Sequence, residues 1–120
     1  MRNRILIVED SPLVTEAFSI LLTEAGYEVG AAATVAEAIA AGTSGPIDLM
    51  LLDLTLPDGD GLEILAALRK QGGVPRTTLA MTGDNDSKTR HKCLDAGCAE
   101  VLLKPVPIGE LLRRIERLLA

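Results

Sequence analysis

Four short apolar runs of this chain end abruptly in side chains able to bind a cation or place a charge. Arg4-Ile5-Leu6-Ile7-Val8 stops at Glu9 and Asp10. Ile47 to Leu52 stops at Asp53, Thr77 to Met81 stops at Thr82, and Glu100 to Leu103 runs into Lys104. Carboxylates crowded together resist ionisation unless a cation sits among them. A hard divalent cation such as Mg²⁺ suits that role, since it prefers carboxylate, carbonyl and water oxygens and commonly takes only one or two protein carboxylates. Singly, each residue has an ordinary reading: Asp10 as a helix cap, Thr82 as the start of a turn, Lys104 as a solvated charge. Together those readings require separate loops to deliver such types to one edge by chance.

The elements that position them alternate. The run ending at Val8 is continuous and β-branched, which suits a parallel strand covered on both faces. Ser11-Pro12 opens a helix, with Pro where a missing N–H costs nothing. Val14, Ala17, Phe18, Leu21, Leu22 and Ala25 repeat at helical spacing up to Gly26. A weaker strand follows over 27–32. Thr34 and Glu37 form a T-x-x-E capping box, predicting a helix to about Ala41 and then a loop from Gly42 to Pro46. The third strand is expected over 47–52, a Pro/Gly/Asp-rich loop over 54–60, and helices over 61–71, 86–96 and 108–119. The result is an α/β pattern, (βα)₅, with parallel strands joined by right-handed crossovers. In such open sheets ligands bind beyond the carboxyl ends of the strands, where all these residues exit.

Composition sets limits. A chain of 120 residues is one domain's worth, so residues 1–120 are read as a single domain. Twelve basic against 17 acidic residues leave a net charge of −5, and only one Phe and one Tyr are present. A negative surface with almost no aromatic rings argues against direct binding of nucleic acid. Cys93 and Cys98 are too few for a disulfide scaffold, and their spacing is neither C-x-x-C nor part of a zinc set, so they read as reduced thiols. No signal peptide or membrane-spanning run is read, and the expected location is cytoplasmic.

The chain resembles a response-regulator receiver domain of two-component signalling over residues 4 to 119. The residues that carry the resemblance are Ile5 to Ser11, Asp48 to Gly61 (including Asp53-Leu54-Thr55-Leu56-Pro57-Asp58-Gly59-Asp60-Gly61), Met81-Thr82-Gly83 and Lys104-Pro105. It implies a flavodoxin-like, doubly wound parallel sheet of five strands in the order 2-1-3-4-5. It also implies that Asp53 accepts a phosphoryl group from the phosphohistidine of a sensor histidine kinase or phosphotransfer protein, and later loses it by hydrolysis. Mg²⁺ would be held by Asp10 and Asp53, by the Thr55 backbone carbonyl, and by Glu9 through water. Thr82 and Lys104 would each bind a phosphoryl oxygen, with Thr55 and Asp84 tuning the lifetime. Phosphoryl transfer needs mostly positioning and charge stabilisation, which these groups supply.

The response would be a change in the surface of helix four, strand five and helix five, where a homodimer is permitted; Arg113, Arg114, Arg117 and Glu100 could bridge it. The chain departs from the family pattern at two positions. Val101 stands where an aromatic switch residue is usual, and Val106 where Phe often follows Lys-Pro. A rival reading, an aspartyl phosphatase of the haloacid-dehalogenase type, needs D-x-D, and Thr55 occupies the second acidic position. A receiver fold that no longer uses phosphate would have lost the acceptor or the Lys, and both are kept.

Overall fold

The computed structural model describes residues 2–84 and 86–120. Five parallel strands form one sheet: β1 (Arg4–Val8), β2 (Glu28–Ala32), β3 (Leu49–Asp53), β4 (Thr77–Thr82) and β5 (Glu100–Leu103). Their spatial order is β2-β1-β3-β4-β5 and every neighbouring pair is parallel, as expected of the doubly wound arrangement. The connecting helices are α1 (Pro12–Glu24), α2 (Val35–Ser44), α3 (Leu62–Gln71), α4 (Ser87–Asp95) and α5 (Ile108–Leu119).

Strand alternation sorts the apolar side chains onto two faces. Leu6, Val8, Met50, Leu52, Ala80 and Val101 pack with Val35, Ala38, Ile64, Leu65, Leu68 and Cys93 under α2, α3 and α4. Ile5, Ile7, Leu49, Leu51, Leu79, Met81 and Leu102 pack with Phe18, Leu22, Leu111 and Ile115 under α1 and α5. Both faces are therefore covered, which is why β1 and β3 read as unbroken apolar runs. Cys93 and Cys98 are buried free thiols, and burial first of all pushes the Cys98 pKa up to about 12. They are inert members of the core, as the sequence suggested.

Strand β3 begins at Leu49 rather than Ile47 and takes in Asp53, and two further segments differ from expectation. Helix α2 continues to Ser44 rather than stopping near Ala41. Gly42 lies buried against α3, where an added Cβ would come within 2.7 Å of Leu68. The Thr43 and Ser44 hydroxyls donate back to the carbonyls of Ala40 and Ala41 at 3.0 and 2.9 Å. Tertiary packing thus carries loop-like residues into the helix. The loop after Asp53 is also not irregular: Thr55–Leu56 and Gly59–Asp60 pair as a short antiparallel hairpin.

That hairpin returns the chain tightly to β3. The Gly61 N–H donates to the Leu54 carbonyl at 2.9 Å, and a Cβ on Gly61 would stand 2.4 Å from the Asp53 carbonyl oxygen. A methyl group there forces the backbone apart. Gly61→Ala is expected to cost about 1–3 kcal/mol, the usual cost of overpacking, measured by urea denaturation; an unchanged midpoint would show that the turn has slack.

Candidate functional site

Glu9 and Lys104 lie one step beyond β1 and β5, Asp53 and Thr82 are the last residues of β3 and β4, and one further ladder bond fixes each end. The Glu9 N–H donates to the Ala32 carbonyl at 3.0 Å, extending the β1–β2 ladder. The Leu54 N–H donates to Met81 at 3.3 Å, holding the peptide after Asp53 against β4. The Lys104 N–H donates to the Thr82 carbonyl at 2.7 Å, extending β4–β5. A one-residue slip in any of these registers would turn the side chain to the other face. Asp53 is in register with Met81 and so stands beside Thr82, one residue further along β4.

The side chains converge at the carboxyl edge of β1 and β3. Glu9 and Asp53 are both buried, 4% and 3% exposed, although both are carboxylates. One oxygen from each of Glu9, Asp10 and Asp53 lies within 4.8 Å of the others, and this is the only such acidic group among the described residues. Asp10 is exposed and is not the helix cap that a lone acid at this place could be. The N-cap of α1 is Ser11, and no side-chain bond caps that end. Glu9 instead turns one carboxylate oxygen to the Asp10 and Ser11 N–H groups, at 2.9 and 3.4 Å.

Lys104 comes from the far edge of the sheet and spans β4 to reach β3. Its ammonium donates to Asp53 Oδ2 at 2.8 Å and to Glu9 Oε1 at 3.4 Å. The other Asp53 oxygen accepts the Thr55 N–H at 3.2 Å. Burial, then the hydrogen bond and charge of Asp53, raise the Glu9 pKa to about 6 against the opposing pull of Lys104. Burial disfavours the Lys104 ammonium, but the Asp53 bond and charge, with Glu9 behind them, raise its pKa overall. Two buried carboxylates therefore share one cation, and Glu9 holds its proton to a higher pH than an exposed Glu does. The site has room for more positive charge, and an all-oxygen donor set at the rim fits Mg²⁺ rather than a softer metal.

Thr82 is buried, and its hydroxyl oxygen accepts the Asp84 N–H at 3.0 Å. The Asp84 carboxylate is held locally: it accepts the Asp86 N–H at 3.1 Å and the Thr89 hydroxyl at 3.4 Å. Thr55, Thr82 and Asp84 line one cleft beside the acidic group. Val101 is buried under α4, and the Arg90 guanidinium donates to its carbonyl at 3.4 Å. Sequence reasoning had singled out Glu9, Asp10, Asp53 and Lys104, which the structure brings together at this edge. It missed the Thr55–Asp60 hairpin, the cis Lys104–Pro105 bond and the anchoring of the hairpin to α2 through Asp58. A P-D-G stretch signals a turn but not its distant partner.

Comparison with known proteins agrees with this geometry. A family model described as the response regulator receiver domain matches residues 5–116. The transcriptional regulatory protein KdpE of Mycobacterium tuberculosis is 35% identical over 92% of the chain, which covers 48% of that protein. The chain spans about half the length of the curated relatives it matches. A receiver domain protein from Methanospirillum hungatei superposes with a TM-score of 0.90 at 32% identity, covering 99% of this chain and 94% of the other. The receiver domain of the sensor histidine kinase PA1611 from Pseudomonas aeruginosa has a magnesium ion in its active-site cleft. It superposes with a TM-score of 0.85 at 30% identity, covering 99% of this chain and 98% of that one. Four matching motifs at four strand ends, a family match across nearly the whole chain and this common fold lead to one conclusion: the chain belongs to the response regulator receiver domain family.

Proposed function

We propose that Asp53 accepts a phosphoryl group from the phosphohistidine of a sensor histidine kinase or phosphotransfer protein. The observation that carries this reading is a buried carboxylate held on both oxygens, by the Thr55 N–H and the Lys104 ammonium, beside Glu9 and Asp10. An Asp53 carboxylate oxygen attacks phosphorus as the P–N bond breaks. The electron pair leaves on the imidazole nitrogen, which then takes a proton, and an acyl phosphate remains on Asp53. Asp10, Asp53 and the Thr55 carbonyl would hold Mg²⁺, with Glu9 contributing through water. When bound, the ion offsets charge on the attacking carboxylate and on the transferred oxygens.

Lys104 needs little movement to keep pace with the new dianion, because it already rests on Asp53 at 2.8 Å. Thr82 bonds a second phosphoryl oxygen, so its hydroxyl reorients toward Asp53. That motion acts on β4 and, through the Lys104–Thr82 backbone bond, on β5. The reading then extends to a change in the surface of α4, β5 and α5. Leu94 and Leu103 are exposed there and suit contact with a second copy. Glu100 is already bound within the chain by Arg114 at 2.5 Å and Arg117 at 2.8 Å, so a dimer would have to exchange those pairs or use Arg113. The partner that donates phosphate approaches over the rim beside Lys104, where Leu13 is 80% exposed. Hydrolysis ends the signal, with Thr55 and Asp84 at the cleft through which water arrives.

Mass spectrometry with a small phosphodonor and Mg²⁺ should show one phosphoryl group on the wild type and none on Asp53→Asn. No gain in the wild type, or equal gain in both, would overturn the assignment. Asp84→Ala should change the lifetime of the acyl phosphate, and an unaltered decay rate would remove Asp84 from the tuning role. Glu9 supplies a pH test in chelator. Its folded pKa of about 6 stands above the ordinary 4.5, so its stabilising contribution is complete below about pH 4.5 and is lost as pH rises through about 6. Glu9→Gln should lack that segment of the stability curve, gaining on the wild type by about 2 kcal/mol between those limits. Parallel curves for the two proteins would contradict it.

A further inference from the structure

Asp58 lies at the tip of the hairpin after Asp53 and is exposed, yet its carboxylate reaches across to α2. One oxygen accepts the Val35 N–H at 2.7 Å and the other the Ala36 N–H at 3.2 Å. These are the first two N–H groups of α2, which have no partner within the helix. The third, at Glu37, donates to Thr34 Oγ1 at 3.1 Å. Glu37 in turn accepts the Ala33 N–H at 3.0 Å. The helix therefore already has a local cap, and Asp58 adds a second from a loop that is 22 and 23 residues away in sequence. The Val35 N–H, aided by Ala36, holds the Asp58 carboxyl below its usual range.

The same hairpin carries the groups that face Asp53. Thr55 pairs with Asp60, and Leu56 with Gly59, across the turn that Pro57 and Asp58 form. Gly59 has φ +156°, and an added Cβ would stand 3.0 Å from a Glu63 carboxylate oxygen, so the turn is confined on that side as well. The Thr55 peptide is the shared element. Its N–H orients Asp53 Oδ1, and its carbonyl is the backbone ligand of the proposed Mg²⁺ site. A loop free to shift would move both, and groups that orient ligands from behind are commonly worth 10–100-fold in metal affinity.

We infer that Asp58 is a positioning residue of the phosphorylation site, clamping the Thr55–Asp60 hairpin to the start of α2 so that the Thr55 peptide is fixed against Asp53. The inference rests on the reading of Asp53 and its neighbours as an Mg²⁺-binding acceptor site. It goes further in giving an exposed loop acid, distant from the metal, control over that site.

Thr34→Ala separates this role from simple helix capping. It removes a cap bond from the same end of α2 without touching the hairpin, whereas Asp58→Ala removes the clamp, and Asp58→Asn keeps the shape but loses the charge. In calorimetric titration with Mg²⁺, Asp58→Ala should raise the dissociation constant about tenfold, within the range for groups behind a metal ligand. Asp58→Asn should fall between it and the wild type. Thr34→Ala should lower the melting temperature and leave the dissociation constant unchanged. In chelator, hydrogen exchange should quicken at the Thr55 amide as well as at Val35 and Ala36 in Asp58→Ala, and only near α2 in Thr34→Ala. Equal Mg²⁺ affinity in wild type and Asp58→Ala, an equal loss in Asp58→Ala and Thr34→Ala, or undisturbed exchange at Thr55 would each overturn the inference. A wild type that binds no Mg²⁺ would instead bring down the acceptor-site reading, and this inference with it.

Discussion

The structure is organised around two carboxylates buried side by side. Glu9 follows β1 and Asp53 ends the adjacent β3, so the two meet at the carboxyl edge of the sheet, and no apolar environment favours that arrangement. Lys104 offsets it with a single ammonium, at 2.8 Å from Asp53 and 3.4 Å from Glu9. Pairing of this kind rarely repays the cost of removing charges from water. The stability must come from elsewhere, and the two apolar layers above and below β1 and β3 are the source. The same layers hold the strands in register, so that the acids and the lysine meet despite the sequence separating them. A fold that tolerates an undercompensated acidic edge is one in which a further cation, or a transferred group with its own metal, improves the local electrostatics.

What the sequence made legible follows from the same division. Strands buried on both faces read as apolar runs, and the first residue able to face water after each run is conspicuous. Glu9, Asp53, Thr82 and Lys104 were therefore visible as a set, and the parallel topology put them on one edge. The features that escaped notice are set by contacts between distant segments. Gly42-Thr43-Ser44 has the composition of a loop, and the seat of Gly42 against Leu68 and the hydroxyl bonds back to Ala40 and Ala41 keep it helical. Asp58 has the composition of a turn residue, and nothing local reveals that the N–H groups it binds belong to α2. The ion pairs of Glu100 with Arg114 and Arg117 belong to the same class: the sequence offered these residues for contact between chains, and the fold uses them within one.

The aromatic shortage takes on a geometric meaning. Phe18 belongs to the layer under α1 and α5, and Tyr27 packs against that layer too. Val101 belongs to the opposite layer, under α2, α3 and α4. Among the described residues no Phe or Tyr lies on the side of the sheet where Thr82 and α4 meet β5, so rotation of such a ring does not link them. Hydrogen bonds to backbone carbonyls join them instead: the Lys104 N–H to Thr82 at 2.7 Å, and the Arg90 guanidinium to Val101 at 3.4 Å. A cavity of about 180 Å³ lies between these links, lined by Thr82, Arg90, Val101 and Leu103 among others. A side chain that rotates needs an empty place to enter, whereas a peptide that shifts carries its hydrogen-bonded neighbours along. Lys104 is bound to Asp53 by its side chain and to Thr82 by its backbone, so on the proposed reading a displacement at Asp53 would reach β4 and β5 through one residue. Arg90 joins α4 to β5 by a single side-chain bond near the limit of hydrogen-bonding distance, which can be broken without disturbing the apolar layer beneath it.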